Sequence, residues 1–288
     1  MNISVMTVSF PLDGETLKEL ELLCEEATSH DYRVYETVMN IPMARSFESK
    51  GFMVLAYEDD KNVLVGVASA IDLMGLHTYE WSLVVTPAYR QKGIGTVLVD
   101  SIQAGLKDRG AEGQLAVVID GSPYGHTFIE NKGFIYSFSE ATLETKAEPV
   151  VLQPNISIQP YNNEQAELIT IYSEAFGDLP EESVELIAFN TSTTGRELWV
   201  AYRDGEMIGT VTTAQESEIQ WVTALAVHPH YEGQGVGTAL LAFSKDYANK
   251  VGAKFVMLDV EIDNKKALSV YEKAGFMKAQ QIDYYVKQ

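Results

Sequence analysis

Apolar residues in the first half of the chain recur with two different periodicities. A spacing of three or four residues at 17–27 and at 94–106 predicts two amphipathic helices. Runs rich in β-branched and aromatic residues at 52–57 and 63–70 flank a polar turn at 58–62, and this arrangement predicts a hairpin. The other elements predicted for this half are strands at 5–10, 76–85 and 115–119 and a short helix at 123–131.

The second half repeats this order of elements. The connecting segment at 145–155 carries Pro149 and Pro154, and it predicts a boundary between one domain at 1–148 and another at 155–288. Runs of strands with two late helical crossovers indicate an α+β fold, with a mixed, mostly antiparallel sheet flanked by helices in each domain. The predicted strands of this half are at 156–158, 198–202, 207–213, 219–227, 255–260 and 284–286, and the predicted helices at 166–172, 184–189, 237–251 and 267–273.

The two halves are also similar in sequence. Gly93 corresponds to Gly235 and Gly133 to Gly275, in both cases at an offset of 142 positions. The repeated element is a strand ending in Val-x-Pro, a glycine turn and the start of a helix, which predicts a duplicated domain. Glycine allows positive φ and close approach of a ligand, and the helix directs its unpaired N–H groups at the turn. The element therefore predicts a site for the phosphates of a cofactor.

Charge and composition narrow the choice of partner. The net charge is −20, from 41 acidic and 21 basic residues, and this argues against a nucleic-acid partner, whose phosphates require a basic face. Solubility is the simplest interpretation of the charge, which also favours cationic small molecules or basic peptides as substrates. Neither a membrane span nor a secretory signal is predicted, so the expected location is cytoplasmic. His228 and His230 lack the further ligands of a zinc site, so no metal site is predicted.

Two motifs carry a resemblance to a known family. The segments LVVTPAYRQKGIGT at 83–96 and LAVHPHYEGQGVGT at 225–238 resemble motif A of the GNAT superfamily of acyl-CoA N-acyltransferases. The segment NKKALSVYEKAGF at 264–276 resembles the motif B of the same superfamily. The resemblance covers nearly the whole chain as two consecutive GNAT-like domains, and it implies acetyl-CoA as the cofactor.

The resemblance implies cofactor-binding residues in both copies. In the second copy, backbone groups would pair with the pantetheine arm and polarise the thioester carbonyl, the glycine turn would hold the pyrophosphate, and Asn264 would hydrogen-bond the cofactor. The implied residues of the second copy are Leu225, Ala226, Val227, Gly233, Gln234, Gly235, Val236, Gly237, Thr238 and Asn264. The corresponding residues of the first copy are Leu83, Val84, Val85, Arg90, Gln91, Lys92, Gly93, Ile94, Gly95 and Thr96.

The resemblance also implies how the reaction would proceed. An amine would attack the thioester directly, and Tyr271 would act as a general acid that protonates the departing CoA thiolate. Glu216 and Glu218 are unplaced candidates for the base, and the pattern favours solvated hairpin charges for each of them.

Each copy departs from the family pattern at a different place. Glu232 stands where the family has Arg or Gln, and its charge adds repulsion, on the order of 1 kcal/mol at a wet surface, towards a pyrophosphate. In the first copy Arg90 is present, but Ile129 stands opposite Tyr271 and cannot donate a proton. Tyr124 and His126 are nearby polar groups that could substitute. We therefore expect the second half to catalyse and the first to be structural or to bind CoA.

The resulting expectation is an acetyl-CoA-dependent N-acetyltransferase that acts on the primary amine of a small molecule, a peptide N-terminus or a lysine. Two alternatives remain open: a non-catalytic acyl-CoA-binding or sensing protein, and an aminoacyl transferase built on tandem GNAT-like domains. Intact glycine turns and the acidic charge favour CoA over a tRNA donor. The acceptor, the base and the oligomeric state, with a homodimer as one alternative, are left open.

Overall fold

The computed structural model describes residues 2–35, 38–46, 49–73, 75–151 and 153–287. The chain forms two compact units: the first unit is Met1–Ser139 with Gln281–Gln288, and the second unit is Glu140–Gln280. The strands of the described residues are β1 (Ile3–Ser9), β2 (Lys50–Glu58), β3 (Val63–Asp72), β4 (Thr78–Val85), β5 (Gly113–Ile119), β6 (Phe134–Lys146), β7 (Ser157–Pro160), β8 (Arg196–Arg203), β9 (Glu206–Glu216), β10 (Ile219–Val227), β11 (Phe255–Glu261) and β12 (Met277–Lys287). The helices are α1 (Gly14–Asp31), α2 (Ile94–Asp108), α3 (Gly125–Glu130), α4 (Gln165–Phe176), α5 (Pro180–Ser192), α6 (Val236–Lys250) and α7 (Lys265–Lys273).

The sheet of the first unit begins with the antiparallel strands β1, β2, β3 and β4, followed by β5 in parallel to β4. Alternation along β2 gives this sheet two apolar faces. Phe52 and Val54 pack in a core with α2, whereas Met53 and Leu55 pack in a second core with α1. Because side chains of a strand point alternately to opposite faces, one apolar strand can serve both helices.

The second unit has the same plan. Strands β7, β8, β9 and β10 are antiparallel neighbours, and β11 runs parallel to β10. Val200 packs in a core with α4 and α5, and its neighbour Ala201 packs in the opposite core with α6. A mixed, mostly antiparallel sheet flanked by helices in each unit is the architecture that the sequence predicts.

The last strand of each unit comes from the other half of the sequence. In the first unit, β5 pairs antiparallel with residues Ile282–Val286 of β12. In the second unit, β11 pairs antiparallel with residues Glu140–Lys146 of β6. Strand β6 also runs through to Lys146, so the start of the predicted connecting segment is strand. The domain ranges 1–148 and 155–288 follow the sequence repeat, and as domain boundaries they stay a prediction.

Candidate active site

Both glycine turns lead into helices whose first N–H groups have no side-chain cap. The residues before α2 and α6 are Gly93 and Gly235, with φ of 85° and 83° respectively, and neither helix has a capping side chain. In contrast, α1 is preceded by Asp13, whose carboxylate accepts hydrogen bonds from two backbone N–H groups. A β-carbon at Gly93 would meet nothing within 4 Å. Uncapped N–H groups beside open space, at the positive end of a helix dipole, form a fitting site for a pyrophosphate.

The parallel strand pair in each unit separates just before the glycine turn. Strands β4 and β5 pair from Thr78 only as far as Trp81, and β10 and β11 pair from Ile219 only as far as Trp221. The predicted cofactor-binding strand residues, 83–85 and 225–227, follow these points and have no partner in the register with β5 or β11. An extended pantetheine arm could add to such a strand edge through main-chain hydrogen bonds.

The two units differ in one feature of this strand. In the first unit β4 pairs with β3 without interruption. In the second unit the pairing of β10 with β9 shifts between Thr223 and Ala226, and Ala224 has φ of 48°. The shift is a β-bulge, which leaves Ala224 and Leu225 without a partner in the register with β9. Backbone groups are therefore available in the second unit at the place where the resemblance puts the thioester.

A cavity of about 390 Å³ opens in the first unit. This cavity is lined by the end of β4 (Leu83–Val85), the glycine turn and residues Ser122–Gly125, which lead into α3, together with Tyr35 and Phe128. Its volume is within the range of small-molecule sites, and its walls are mostly apolar with a few polar groups. Of the residues predicted for the first copy, those that line the cavity are Leu83, Val84, Val85, Arg90, Gln91, Gly93, Gly95 and Thr96.

The other two predicted residues of the first copy have different contacts. Ile94 is 2% exposed and packs in the core between the sheet and α2, so only its backbone can face a ligand. The ammonium of Lys92 donates a hydrogen bond of 2.7 Å to the carbonyl oxygen of Ala88. In the second copy Val236 is likewise buried, at 1% exposure.

Arg90 forms hydrogen bonds with a partner that no sequence pattern indicates. Its guanidinium donates to both carboxylate oxygens of Asp31, and its Nε donates to the carbonyl oxygen of Val85. The Tyr35 hydroxyl also donates to Asp31. Burial by itself would raise the pKa of Asp31, but hydrogen bonds from Arg90, His30 and Tyr35 outweigh it and lower the pKa to about 2. Arg90 therefore braces the glycine turn against the end of α1.

The charge of Glu232 in the second glycine turn is balanced locally. Its carboxylate forms an ion pair with the ammonium of Lys266, in the first turn of α7. Arg203 adds a second cation, because its guanidinium donates to the side-chain and backbone oxygens of Gln234. The repulsion expected from Glu232 towards a pyrophosphate is therefore offset by two neighbouring cations.

Tyr271 lies in α7, half-buried beside the core of the second unit. Its ring centroid is 6.2 Å from that of Phe276. Burial raises the pKa of the Tyr271 hydroxyl, so this hydroxyl is protonated at neutral pH and can act as an acid. Asn264 caps the same helix, since its Oδ1 accepts a hydrogen bond from the backbone N–H of Ala267. The proposed hydrogen bond from Asn264 to the cofactor would have to come from its amide nitrogen.

The structural equivalence of Tyr271 and Ile129 follows from their neighbours. A β-carbon at Gly237 would lie 3.5 Å from Cγ1 of Val270, the residue before Tyr271. A β-carbon at Gly95 would lie 3.2 Å from the ring of Phe128, the residue before Ile129. Ile129 is buried at 4% exposure and has no proton to donate.

Both candidate bases of the second unit form contacts with neighbouring side chains. Glu216 accepts a hydrogen bond of 3.1 Å from the indole of Trp221, and Glu218 forms an ion pair of 2.6 Å with Lys254. These contacts match the alternative interpretation of both residues as hairpin surface charges. Sequence patterns did not indicate the role of Asp31 or the β-bulge. Only the bulge has a signal in the sequence: β9 is one residue shorter than β3 between equivalent pairs.

Comparison with known proteins agrees with this geometry. The family model described as "Acetyltransferase (GNAT) family" matches residues 15–134 and 165–276. A mycothiol acetyltransferase from Rhodococcus jostii is 25% identical, with 96% of each chain covered. One from Streptomyces avermitilis is 30% identical over 75% of this chain and 73% of its own length.

Solved structures share the fold. A GCN5-related N-acetyltransferase from Sphaerobacter thermophilus superposes with a TM-score of 0.76 at 16% identity, covering 98% of this chain and 95% of its own. A tandem GNAT protein from the clavulanic acid biosynthesis pathway gives a TM-score of 0.70 at 16% identity, with 98% of each chain covered.

A mixed α+β fold with a glycine turn at the start of a helix, beside a parallel strand pair that separates, occurs twice in this chain. The chain belongs to the GNAT acetyltransferase family. It is an acyl-CoA-dependent N-acetyltransferase that uses acetyl-CoA to acetylate an amine, as the sequence predicts. Within the described residues, no helix combines the length and apolar character that crossing a bilayer requires.

Proposed function

We propose that the second unit carries out acetyl transfer and that Tyr271 is its general acid. The observation that carries this proposal is the β-bulge at Ala224 and Leu225, a feature of β10 that β4 does not share. The same unit holds Tyr271, whereas the first unit has the buried Ile129 at the equivalent position. Bulge and acid thus occur together in one unit.

Each residue has a separate task in this proposal. Acetyl-CoA supplies the activated acetyl group. Backbone N–H groups at the bulge donate hydrogen bonds to the thioester oxygen as negative charge develops on it. The amine nitrogen forms a bond to the acetyl carbon, and the carbon–sulfur bond breaks. Tyr271 gives its proton to the leaving sulfur and regains one, through solvent, from the acylated nitrogen.

The first unit, in this proposal, binds acetyl-CoA without transferring its acetyl group. Its cavity of about 390 Å³ meets both the glycine turn and the splayed end of β4. Its strand β4 has no bulge and its α3 offers Ile129 in place of an acid. The proposal therefore predicts two cofactor sites and one catalytic site per chain.

The acceptor belongs to the same proposal. The relatives that align over most of the chain are named mycothiol acetyltransferase. A small-molecule amine is therefore the first acceptor to test. A net charge of −20 is compatible with a cationic amine. The oligomeric state is left open by the sequence, and sedimentation of the purified chain would test the homodimer.

Replacing Tyr271 by Phe tests the catalytic assignment. The phenyl ring keeps the packing against Phe276 and removes the acid, so kcat for CoA thiol release with a primary amine should fall about 100-fold or more. The affinity for acetyl-CoA should change little. Tyr247→Phe is the matched control, because Tyr247 lies on α6 in the same unit and its hydroxyl bonds Glu197. An unchanged kcat in Tyr271→Phe would refute the assignment.

A further inference from the structure

Three metal-ligating side chains meet in the first unit, apart from the glycine turn. Asp120 follows β5, His126 is in α3, and Asp283 is in β12. One ligand atom from each of them lies within 4.8 Å of the other two. Asp283 is buried, while Asp120 and His126 are half-buried, so the cluster is enclosed but open to entry from solvent.

The spacing within this cluster differs from that of a hydrogen-bonded pair. The Nε2 of His126 and the Oδ2 of Asp283 are 3.6 Å apart, beyond the usual hydrogen-bond range. Two ligands at 2.0–2.2 Å from a tetrahedral metal would be separated by roughly 3.3–3.6 Å. The separation of 3.6 Å between these two atoms fits two ligands of one cation, and it also fits a His–Asp ion pair.

Neighbouring side chains orient two of the three ligands, Asp283 and His126. The Oδ1 of Asp283 accepts hydrogen bonds from Ser139 and Gln281, which leaves its Oδ2 as the oxygen nearest His126. The Nδ1 of His126 lies 2.9 Å from the hydroxyl of Tyr285. In the tautomer whose Nδ1–H donates to this hydroxyl, the ring is fixed and Nε2 is free of a proton to bind a metal, as in metal-bound histidines with an outer partner.

We propose that Asp120, His126 and Asp283 form a binding site for a divalent transition-metal cation, with zinc as the best match. One imidazole and two carboxylates suit zinc, manganese or ferrous iron better than calcium, which takes six to eight oxygens. Water completes a tetrahedral zinc site with three protein ligands. The cation also relieves the repulsion between two carboxylates in a chain whose net charge is −20.

The position of the site gives it a structural role. Asp283 is in the strand that completes the sheet of the first unit, and it is 157 positions from His126 in the sequence. A metal that joins such distant positions closes a long loop and stabilises the folded unit. The backbone between Asp120 and His126 carries Ser122–Gly125, which line the cavity. The metal would thus hold one wall of the cavity in place.

Zinc titration of the untagged, chelator-treated protein tests this proposal. Calorimetry should show one zinc equivalent per chain, and zinc should raise the melting temperature. His126→Gln should weaken zinc binding about 100-fold or more and abolish the rise in melting temperature. Tyr285→Phe keeps the ring and removes only the outer hydrogen bond, so it should weaken binding about 10-fold to 100-fold. Cobalt should give the visible absorption of a tetrahedral site in wild type.

The exposed imidazoles elsewhere provide the control. His230→Gln removes one member of the His228–His230 pair, and zinc binding should persist in this variant. The proposal is overturned if wild type binds no zinc, if His126→Gln binds as tightly as wild type, or if the loss occurs in His230→Gln instead. Because His126 has a half-exposed side chain, its replacement is not expected to prevent folding.

Discussion

Asp31 and Arg90 form a two-pronged ion pair in the first unit, with N–O distances of 2.8 and 2.6 Å. The Asp31 side chain is fully buried and that of Arg90 is 17% exposed. The pair joins the last residue of α1 to the glycine turn before α2, 59 positions further along the chain. The family-like arginine of the first copy is thus paired with an acid of the protein, and its role in cofactor binding stays a prediction.

This ion pair predicts acid sensitivity of the first unit. The pKa of Asp31 is lowered to about 2 from an ordinary value of 3.8. A lowered pKa means that the pair stabilises the fold above about pH 4 and that this contribution is lost as the pH falls towards 2. The contribution at neutral pH is about 2 kcal/mol. Asp31→Asn should lower the melting temperature at pH 7, and the difference from wild type should shrink at pH 3.

Asp60→Asn is the control for this measurement, because Asp60 is an exposed residue of the turn between β2 and β3. It should melt within a degree or two of wild type at both pH values. A difference between wild type and Asp31→Asn that stays constant from pH 7 to pH 3 would show that the carboxylate charge is not what stabilises the unit.

The two glycine turns predict two separable cofactor sites. A glutamate at Gly95 or at Gly237 places a negative charge in the first turn of a helix that should face pyrophosphate. Titration of wild type with acetyl-CoA by calorimetry should give two equivalents, and each single variant should give one. Only Gly237→Glu should lose turnover, since the proposed catalytic unit is the second one.

Surface glutamates on the same helices serve as controls for this pair. Val97 is 42% exposed on α2, and Asn249 is exposed near the end of α6. Val97→Glu and Asn249→Glu should keep both sites. One equivalent in wild type, lost only in Gly95→Glu, would place the cofactor in the first unit and contradict the catalytic assignment.

Much of this molecule could be predicted from the sequence because the relevant signals are local. The spacing of apolar residues predicted α2, and the glycine turns predicted the helix starts after Gly93 and Gly235. The contact between Asp31 and Arg90 was not predictable, because no local pattern indicates which buried acid lies opposite a given arginine. The exchanged final strands, 140–146 and 282–286, depend on long-range pairing that alternation alone does not specify.

The β-bulge left a signal in the sequence that an ungapped repeat conceals. In the first unit, β3 and β4 each place three residues between the pairs Gly66–Val85 and Ala70–Trp81. In the second unit, β10 has three residues between Thr223 and Val227, but β9 has only two between Gly209 and Thr212. Because β9 has one residue fewer, Ala224 and Leu225 of β10 stand opposite the single residue Val211, and the ladder is interrupted there.

If β9 is lengthened by one residue, we expect catalysis to be lost while the fold is kept. One alanine inserted between Val211 and Thr212 lets β9 pair with β10 as β3 pairs with β4. The N–H groups proposed for the thioester oxygen would then be occupied, and kcat should fall about 100-fold to 1000-fold. Acetyl-CoA should still bind at both glycine turns. An alanine inserted between Asp204 and Gly205, in the turn between β8 and β9, should leave kcat nearly unchanged. If both insertions had equal effects on kcat while the circular dichroism stayed native, the bulge would have no catalytic role.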